Sequence, residues 1–374
     1  MINIKEVTTR KMRHQFVSFP LDLYRGNPYF VPPLYGDEMK VFSKKNAYYE
    51  TSISSFFLAF KDDRVAGRIS GIIQTQSNEK TGERRARFTR FDAIDDQEVA
   101  DALFLAVEKW AAKNGMDLIC GPLGYSDLER EGLLIEGFNH IATFEEQYNY
   151  EYYGRLIENY GFEKEVDWVE YKLYRPESVD PTLDRVADAA MEKFRLHIGT
   201  GKNKRQYINK YKDGIFHCLD EGYKELYGTV PFTKEMKQQI ITQFMLLLNL
   251  KFMITVCDEH ENVVAFGLSV PSLGPAFQES GGRLNVKTVR KMMKIIKKPD
   301  VIDLGLIAVL PEYQSLAFNA IILRHLIQGM MRENISYCET NLNLENNVKV
   351  QAQWRFFPRE QHKKRRSYLK KIAL

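Results

Sequence analysis

Val309-Leu310-Pro311-Glu312-Tyr313-Gln314-Ser315-Leu316-Ala317-Phe318-Asn319-Ala320 marks a change of hydrophobic period in the chain. Upstream, Asp303 to Val309 reads as an apolar strand. Downstream, Ala317 to Met331 sets Ile321, Leu323, Leu326 and Ile327 in a helical pattern. Pro311 places a turn between them. Free backbone N–H groups at a helix start, aided by the helix dipole, make an anion site, and a pyrophosphate fits there. A strand–turn–helix by itself is more often plain architecture.

The surrounding elements give this turn a setting. Phe252 to Cys257 and Val263 to Val270 read as a hairpin around the polar turn Asp258 to Asn262, and Lys224 to Leu248 contains helical segments. After the turn come a strand over Ile335 to Leu344, a short helix near Val348 to Phe356 and a closing strand over Lys364 to Ile372. The first half has the same order. Strands are expected over Ser54 to Phe60, Val65 to Ile73 and Ala86 to Ala93, then a helix over Val99 to Lys113. A strand over Met116 to Cys120, a helix near Tyr150 to Tyr160 and a strand over Val166 to Leu173 complete it. Asp95 reads as the N-cap of the first-half helix, with Glu98 as its capping-box partner. Element order repeats, with no residue-level repeat. Pro176 and Pro181, within Leu173 to Leu183, read as a linker, so the expected domains are residues 1–175 and 185–374.

A chain of 374 residues fits two domains, and 44% hydrophobic with 27% charged residues is globular rather than disordered. Its net charge of +4 does not by itself imply a nucleic-acid partner. The longest apolar run, Leu304 to Leu310, is seven residues, against the roughly 20 a spanning helix needs. Met1-Ile2-Asn3-Ile4-Lys5 has no apolar signal region. Cys120, Cys218, Cys257 and Cys338 are scattered without a C-x-x-C, so neither a disulfide framework nor a zinc site is expected. The expected setting is the cytosol.

The opening stretch resembles the acyl-CoA-binding turn of the GNAT superfamily of N-acetyltransferases, V-x-P-x-Y-(Q/R)-x-x-G-x-(G/A). Val309, Pro311, Tyr313 and Gln314 match, while Ala317 and Asn319 stand where glycine is usual. Further motifs resemble a group of bacterial tandem GNAT-like N-acyltransferases. They are Tyr24-Arg25-Gly26-Asn27-Pro28-Tyr29-Phe30-Val31-Pro32-Pro33-Leu34, Gly121-Pro122, Glu131-Gly132-Leu133-Leu134-Ile135-Glu136-Gly137-Phe138, Tyr148-Asn149-Tyr150-Glu151-Tyr152-Tyr153, and Glu339 through Glu345 to Asn347. The resemblance implies an α/β (α+β) chain of two tandem GNAT-like domains, each a mixed, mostly antiparallel sheet flanked by helices. It implies acetyl-CoA or a longer acyl-CoA as co-substrate, no metal, and an amine acceptor. The CoA-binding residues it implies are Ile307, Ala308, Val309, Gln314, Ser315, Leu316, Ala317, Phe318 and Asn319. A backbone amide of Ile307, Ala308 or Val309 would meet the thioester carbonyl. In the first half the corresponding residues are Asp92-Ala93-Ile94-Asp95-Asp96-Gln97-Glu98, whose carboxylates repel a pyrophosphate. One active site is therefore expected, in the C-terminal half near the domain interface.

Acyl transfer needs a neutral amine, donors for the developing oxyanion and a proton for the thiolate. Over Glu339 to Glu345, strand alternation would set Glu339, Asn341, Asn343 and Glu345 on one face, lining a cleft or facing solvent. Glu339 or Glu345 would deprotonate or hold the amine, and Asn341, Asn343 and Asn347 would touch the substrate. The position of the superfamily's acidic tyrosine falls on Trp354. Tyr313 is the nearest tyrosine to the turn, as acid or as a structural residue. By resemblance Glu131, Glu136 and Asn149 belong to a substrate cleft; by spacing alone the two glutamates suit capping or the surface.

Arg283 to Lys298 carries seven basic residues and no acid, interleaved with apolar ones. Such a helix suits an anionic membrane surface, an acidic substrate, or simple packing with a solvated face. Lys363-Lys364-Arg365-Arg366 with Lys370-Lys371 reads as a strand with exposed lysines rather than a nucleic-acid patch. Two alternatives to an acyl-CoA enzyme remain open: a same-fold transferase using aminoacyl-tRNA, and a non-catalytic binding protein of this fold.

Overall fold

The computed structural model describes residues 1–143, 145–314 and 317–373. Its elements through the first half are β1 (Ile2–Glu6), α1 (Arg10–Leu23), α2 (Tyr35–Lys40), β2 (Ser52–Lys61), β3 (Arg64–Gln74), α3 (Thr75–Thr81), β4 (Arg85–Ala93), α4 (Gln97–Lys113), β5 (Leu118–Gly121), β6 (Leu133–Glu136), α5 (Tyr152–Asn159) and β7 (Glu163–Tyr174). The second half has α6 (Pro181–Lys193), β8 (His197–Ile198), α7 (Lys204–Gly222), α8 (Lys234–Phe244), β9 (Met253–Cys257), β10 (Val263–Pro271), α9 (Gly274–Ser280), α10 (Val286–Lys297), β11 (Val301–Val309), α11 (Phe318–Glu333), β12 (Tyr337–Thr340), β13 (Asn343–Leu344), α12 (Val348–Gln353) and β14 (Arg359–Lys371).

Two compact units emerge. Unit 1 comprises Met1–Val169, Leu273–Arg290 and His362–Leu374, and unit 2 comprises Glu170–Ser272 and Lys291–Gln361. In unit 1 the strands run in the order β1-β2-β3-β4-β5-β14-β7. The β2–β3 hairpin closes on Asp62 and Asp63, both with positive φ (50° and 61°), the twist a two-residue loop requires. β4 and β5 are parallel, with α4 as the crossover. Asp96, not the expected Asp95, caps α4, accepting from the Glu98 amide. Asp95 instead pairs with Arg155. Val99, Leu103, Phe104 and Val107 of α4 are buried and form its core face.

In unit 2 the order is β7-β12-β11-β10-β9-β8, with β11 and β12 parallel and α11 as their crossover. The expected linker is shorter than the proline spacing suggests. Pro181 is the first residue of α6, and Asp180 caps it through the Thr182 and Leu183 amides (2.7 and 3.2 Å). Proline at a helix start loses no hydrogen bond, so the second proline begins an element instead of extending a loop. The expected strand Ile335 to Leu344 also breaks. β12 stops at Thr340 and only Asn343–Leu344 re-form a strand. The polar side chains at the break bond to nearby backbone in place of a ladder: Asn343 donates to the Asn341 carbonyl (2.7 Å), and Asn341 donates to the Gly305 carbonyl (3.1 Å). Glu339, Asn341, Asn343 and Glu345 therefore do not form one regular face.

Candidate active site

The site is built on one edge of β11. The parallel ladder with β12 covers Val301↔Tyr337 to Leu304↔Thr340 and ends there. The antiparallel ladder with β10 continues to Val309, and the Leu310 amide still reaches the Val264 carbonyl (3.0 Å). A strand alternates the direction of its peptide groups. Leu310 and Ala308 thus serve the β10 ladder, while Gly305, Ile307 and Val309 direct their peptide groups to the edge that β12 has left. Each of those three outward carbonyls accepts a side-chain bond. Asn341 Nδ2 takes Gly305 O (3.1 Å), Tyr223 Oη takes Ile307 O (3.0 Å) and Gln314 Nε2 takes Val309 O (3.2 Å). With its carbonyls engaged, this edge offers the Ile307 and Val309 amides as its donors. Of the three residues singled out in the sequence, Ala308 is spoken for by β10.

The turn that follows keeps the geometry a glycine would supply. Ala317 has φ +66°, in the left-handed region, and stands directly before α11. A methyl group is the smallest side chain that can be forced there. Phe318 is buried, so only its backbone faces the helix start; Asn319 is half-buried in the first turn. Tyr313 packs its ring against Phe318 (4.8 Å between centroids) and edge-on to Phe194 (6.5 Å). Ser315 and Leu316 lie outside the described residues.

The carboxylates divide sharply. Glu339 is buried beside the crotch of the strands, in register with Asp303 on β11 and Lys172 on β7. Glu339 and Glu170 bring carboxylate oxygens within 4.8 Å of each other. Burial, then the charges of Glu339 and Asp303, push the neighbouring Tyr337 phenol up to about 12. Glu345 is exposed. Asn347 caps α12 through the Val350 amide, and Asn343 Oδ1 accepts from Trp354 Nε1 (3.1 Å). Tyr223 and Gln314 thus hold the edge alongside Asn341. The Tyr223 position is invisible to motif reading. Its one signal is Gly222, whose missing side chain lets the end of α7 approach the Val309 peptide: a Cβ there would stand 3.3 Å from Val309 O.

Unit 1 contains the corresponding opening, filled by its own chain. The β4–β5 ladder ends at Arg87↔Cys120, while β4 runs on to Ala93. The Leu123 amide bonds Phe88 O (2.9 Å) and Gln147 Nε2 reaches Phe91 O (3.4 Å). The Ile94 amide bonds Ala66 O (3.0 Å), as Leu310 does in unit 2, so Ala93 is the counterpart of Val309. Both of its peptide groups are taken: its amide donates to Tyr153 Oη (3.1 Å) and its carbonyl accepts from Tyr152 Oη (2.7 Å). Gly121, with φ +145°, fits where a Cβ would come within 2.3 Å of Phe88 O.

No family model matches the chain. Among curated proteins it is 27% identical to Protein YghO of Escherichia coli over 364 residues, covering 96% of this chain and 92% of that one. It is 24% identical to the bacterial ceramide synthase of Caulobacter vibrioides over 291 residues, covering 76% and 73%. Among solved structures, a tandem GNAT protein from the clavulanic acid biosynthesis pathway superposes over 100% of this chain and 99% of that one, with TM-score 0.56 and 11% identity. A GCN5-related glucosamine N-acetyltransferase region of a fungal multidomain protein gives TM-score 0.60 at 9% identity over 99% of this chain and 38% of that one. The chain has the tandem GNAT fold.

Residues of two further motif stretches meet in the core of unit 1. Asp92, buried, accepts from Arg68 Nε (2.8 Å) and Tyr24 Oη (2.9 Å), and Tyr24 donates to Tyr153 (2.8 Å). Tyr24 and Tyr153 come from two different motif stretches. Burial outweighs Arg68 and raises the Asp92 carboxyl. Asn149 clamps β6, accepting from the Leu134 amide (2.8 Å) and donating to the Leu134 carbonyl (3.0 Å). Glu131 is buried while Glu136 is exposed. Burial, then Asp127, pushes the Glu131 carboxyl well above the usual range.

The basic tail is the reverse of the solvated strand expected. Lys363 and Arg365 are buried in β14, and Arg366 and Lys364 hold Asp167 (2.8 and 2.9 Å). Buried cations need partners, and unit 1 supplies them. For metals, His197, Cys257 and Glu261 bring donor atoms within 4.8 Å. Lys210 already sits 2.8 Å from Glu261, and burial pushes the Cys257 thiol up to about 11. No helix among the described residues is long and apolar enough to cross a membrane.

Proposed function

We propose that the chain is an acyl-CoA-dependent N-acyltransferase with one active site, in unit 2, on the free edge of β11. The observation that supports this most is the contrast at the two strand ends. Val309 keeps its amide on an edge whose carbonyls are covered, whereas both peptide groups of Ala93 are consumed by Tyr153 and Tyr152.

In this reading the CoA pyrophosphate lies on the N-terminus of α11, against the amides from Ala317 to Asn319 and the positive end of the helix dipole. Gln314 fixes the turn to β11. The acyl chain and thioester lie along the edge between β11 and β12. The amine nitrogen attacks the thioester carbon, forming the C–N bond. The Ile307 or Val309 amide stabilises the oxyanion. The C–S bond then breaks, the thiolate takes a proton from Tyr223, and the ammonium proton leaves through Glu339. Tyr313 serves the turn as an aromatic prop. The reading assigns Asn341 to holding the crotch open, Asn343 and Asn347 to shaping the α12 segment, and Asn149 to clamping β6. The charge cluster around Glu131 supports the fold of unit 1.

The acceptor class follows from a relative. A ceramide is an N-acylated long-chain amine, and a bacterial ceramide synthase aligns with 76% of this chain. A long-chain primary amine with a long-chain acyl-CoA is therefore the first pair to test. Incubation of the protein with palmitoyl-CoA and a sphingoid base, read by mass spectrometry and free-thiol release, should give the amide and one thiol per amide. Thiol release without amide would indicate hydrolysis and reject the assignment of acceptor. Turnover with aminoacyl-tRNA instead would reject the donor.

A further inference from the structure

Helix α10 carries three stripes, and the fold uses only one of them. Asn285 starts the helix, its Oδ1 accepting from the Thr288 amide (2.9 Å) and hydroxyl (3.1 Å), and Pro299 follows the last turn. Thr288, Met292 and Ile296, spaced by four, are buried. Val286, Val289 and Met293, spaced by three and four, form a second stripe beside the first and are 68%, 38% and 48% exposed. Leu284, just ahead of the helix, is 53% exposed. Lys287, Arg290, Lys294 and Lys297 form the third stripe, also exposed, flanking the second. The apolar arc is thus wider than the buried face requires. Isolated exposed apolar residues are ordinary; three along one helix stripe, with a fourth just ahead of the helix, are not.

The neighbouring charges narrow the occupant. No acidic residue falls between Arg283 and Lys298. Lys287 has Glu279 at 3.8 Å, with both side chains largely in solvent, and the Arg283 guanidinium lies over the Tyr35 ring at 3.9 Å. A partner for this surface must be anionic and also accept aliphatic side chains a few ångströms away. A nucleic acid satisfies the first demand and leaves Val286 and Met293 in water. The headgroup layer of an anionic bilayer satisfies both, with phosphates above and acyl chains beneath.

We propose that α10 together with Leu284 docks on the surface of an anionic phospholipid bilayer, lying in the plane of the headgroups. Val286, Val289 and Met293 enter the acyl boundary, and Lys287, Arg290, Lys294 and Lys297 face the phosphates. Docking is tested without any acyl transfer.

The full chain is sedimented with phosphatidylcholine vesicles containing or lacking phosphatidylglycerol. Binding is expected only with phosphatidylglycerol and should weaken with salt. Val286→Ser/Met293→Ser and Lys287→Gln/Lys294→Gln should each weaken it by about tenfold, with the thermal midpoint unchanged because all four side chains are exposed. Three outcomes would overturn the proposal: no sedimentation with anionic vesicles; binding unaffected by the apolar pair; or capture by duplex DNA or RNA of equal strength, lost only with the lysine pair.

Discussion

The Tyr223 hydroxyl donates a 3.0 Å hydrogen bond to the Ile307 carbonyl, on the edge of β11 that its parallel neighbour has left. In the proposed mechanism this phenol stands beside the thioester and gives its proton to the leaving thiolate. Tyr223→Phe removes that proton and keeps the ring. Turnover should fall by about a hundredfold, with acyl-CoA affinity nearly unchanged. Equal losses in affinity and turnover would make Tyr223 a packing residue.

Ala317 stands in the left-handed region at φ +66°. An L-residue there carries a strain of about 1–2 kcal/mol that glycine escapes, less the greater freedom glycine has when unfolded. Ala317→Gly should therefore raise unfolding stability by about 1 kcal/mol or less. It should not weaken CoA binding, because the turn is already shaped for glycine. Denaturant midpoints together with CoA titration check both points.

Unit 1 fills its opening with Tyr152 and Tyr153, and the Tyr153 hydroxyl also accepts from buried Tyr24. Tyr153→Phe leaves the Ala93 amide without its acceptor, while the Tyr24 hydroxyl keeps Asp92. The loss should be about 1–3 kcal/mol of stability. No second CoA site should appear, since Tyr152, Gln147 and the Leu123 amide still occupy the edge. Equilibrium unfolding gives the first quantity and binding stoichiometry the second.

Asp167 gives the fold an acid limit. Burial opposes its charge, but hydrogen bonds from Arg366, Lys364 and Lys164 prevail and hold the carboxyl down at about 2. An unfolded aspartate titrates near 3.9. The folded pKa is the lower one, so the stabilisation is complete above about pH 4 and is lost as pH falls towards 2. Asp167→Asn should be less stable at neutral pH, with a flatter stability profile between pH 4 and 2. A variant profile parallel to the wild type would assign that acid sensitivity to other carboxylates.

Local period made much of this legible. The strand–turn–helix at Val309 and both hairpins follow from apolar spacing and turn residues. What escaped depends on contacts distant in sequence. α7 carries Tyr207, Tyr211, Ile215, Cys218 and Leu219 on a helical period, yet nothing local says that its end meets the Ile307 carbonyl. The alternation from Glu339 to Glu345 misled because Asn341 and Asn343 bond backbone groups and break the strand. The run Lys363 to Arg366 looked solvated because its partners, Asp167 and Glu146, lie some two hundred residues earlier.

The central claim is that CoA binds once per chain, at the start of α11. Isothermal titration of the full chain with palmitoyl-CoA and acetyl-CoA, for the wild type and Asn319→Glu, tests it most directly. Glutamate in the first helical turn favours the helix dipole, so the variant should fold at least as well. Its charge would stand against the pyrophosphate. The account predicts one site per chain and at least about tenfold weaker binding in Asn319→Glu. No binding of either thioester, two sites per chain, or an affinity unmoved by the substitution would contradict it.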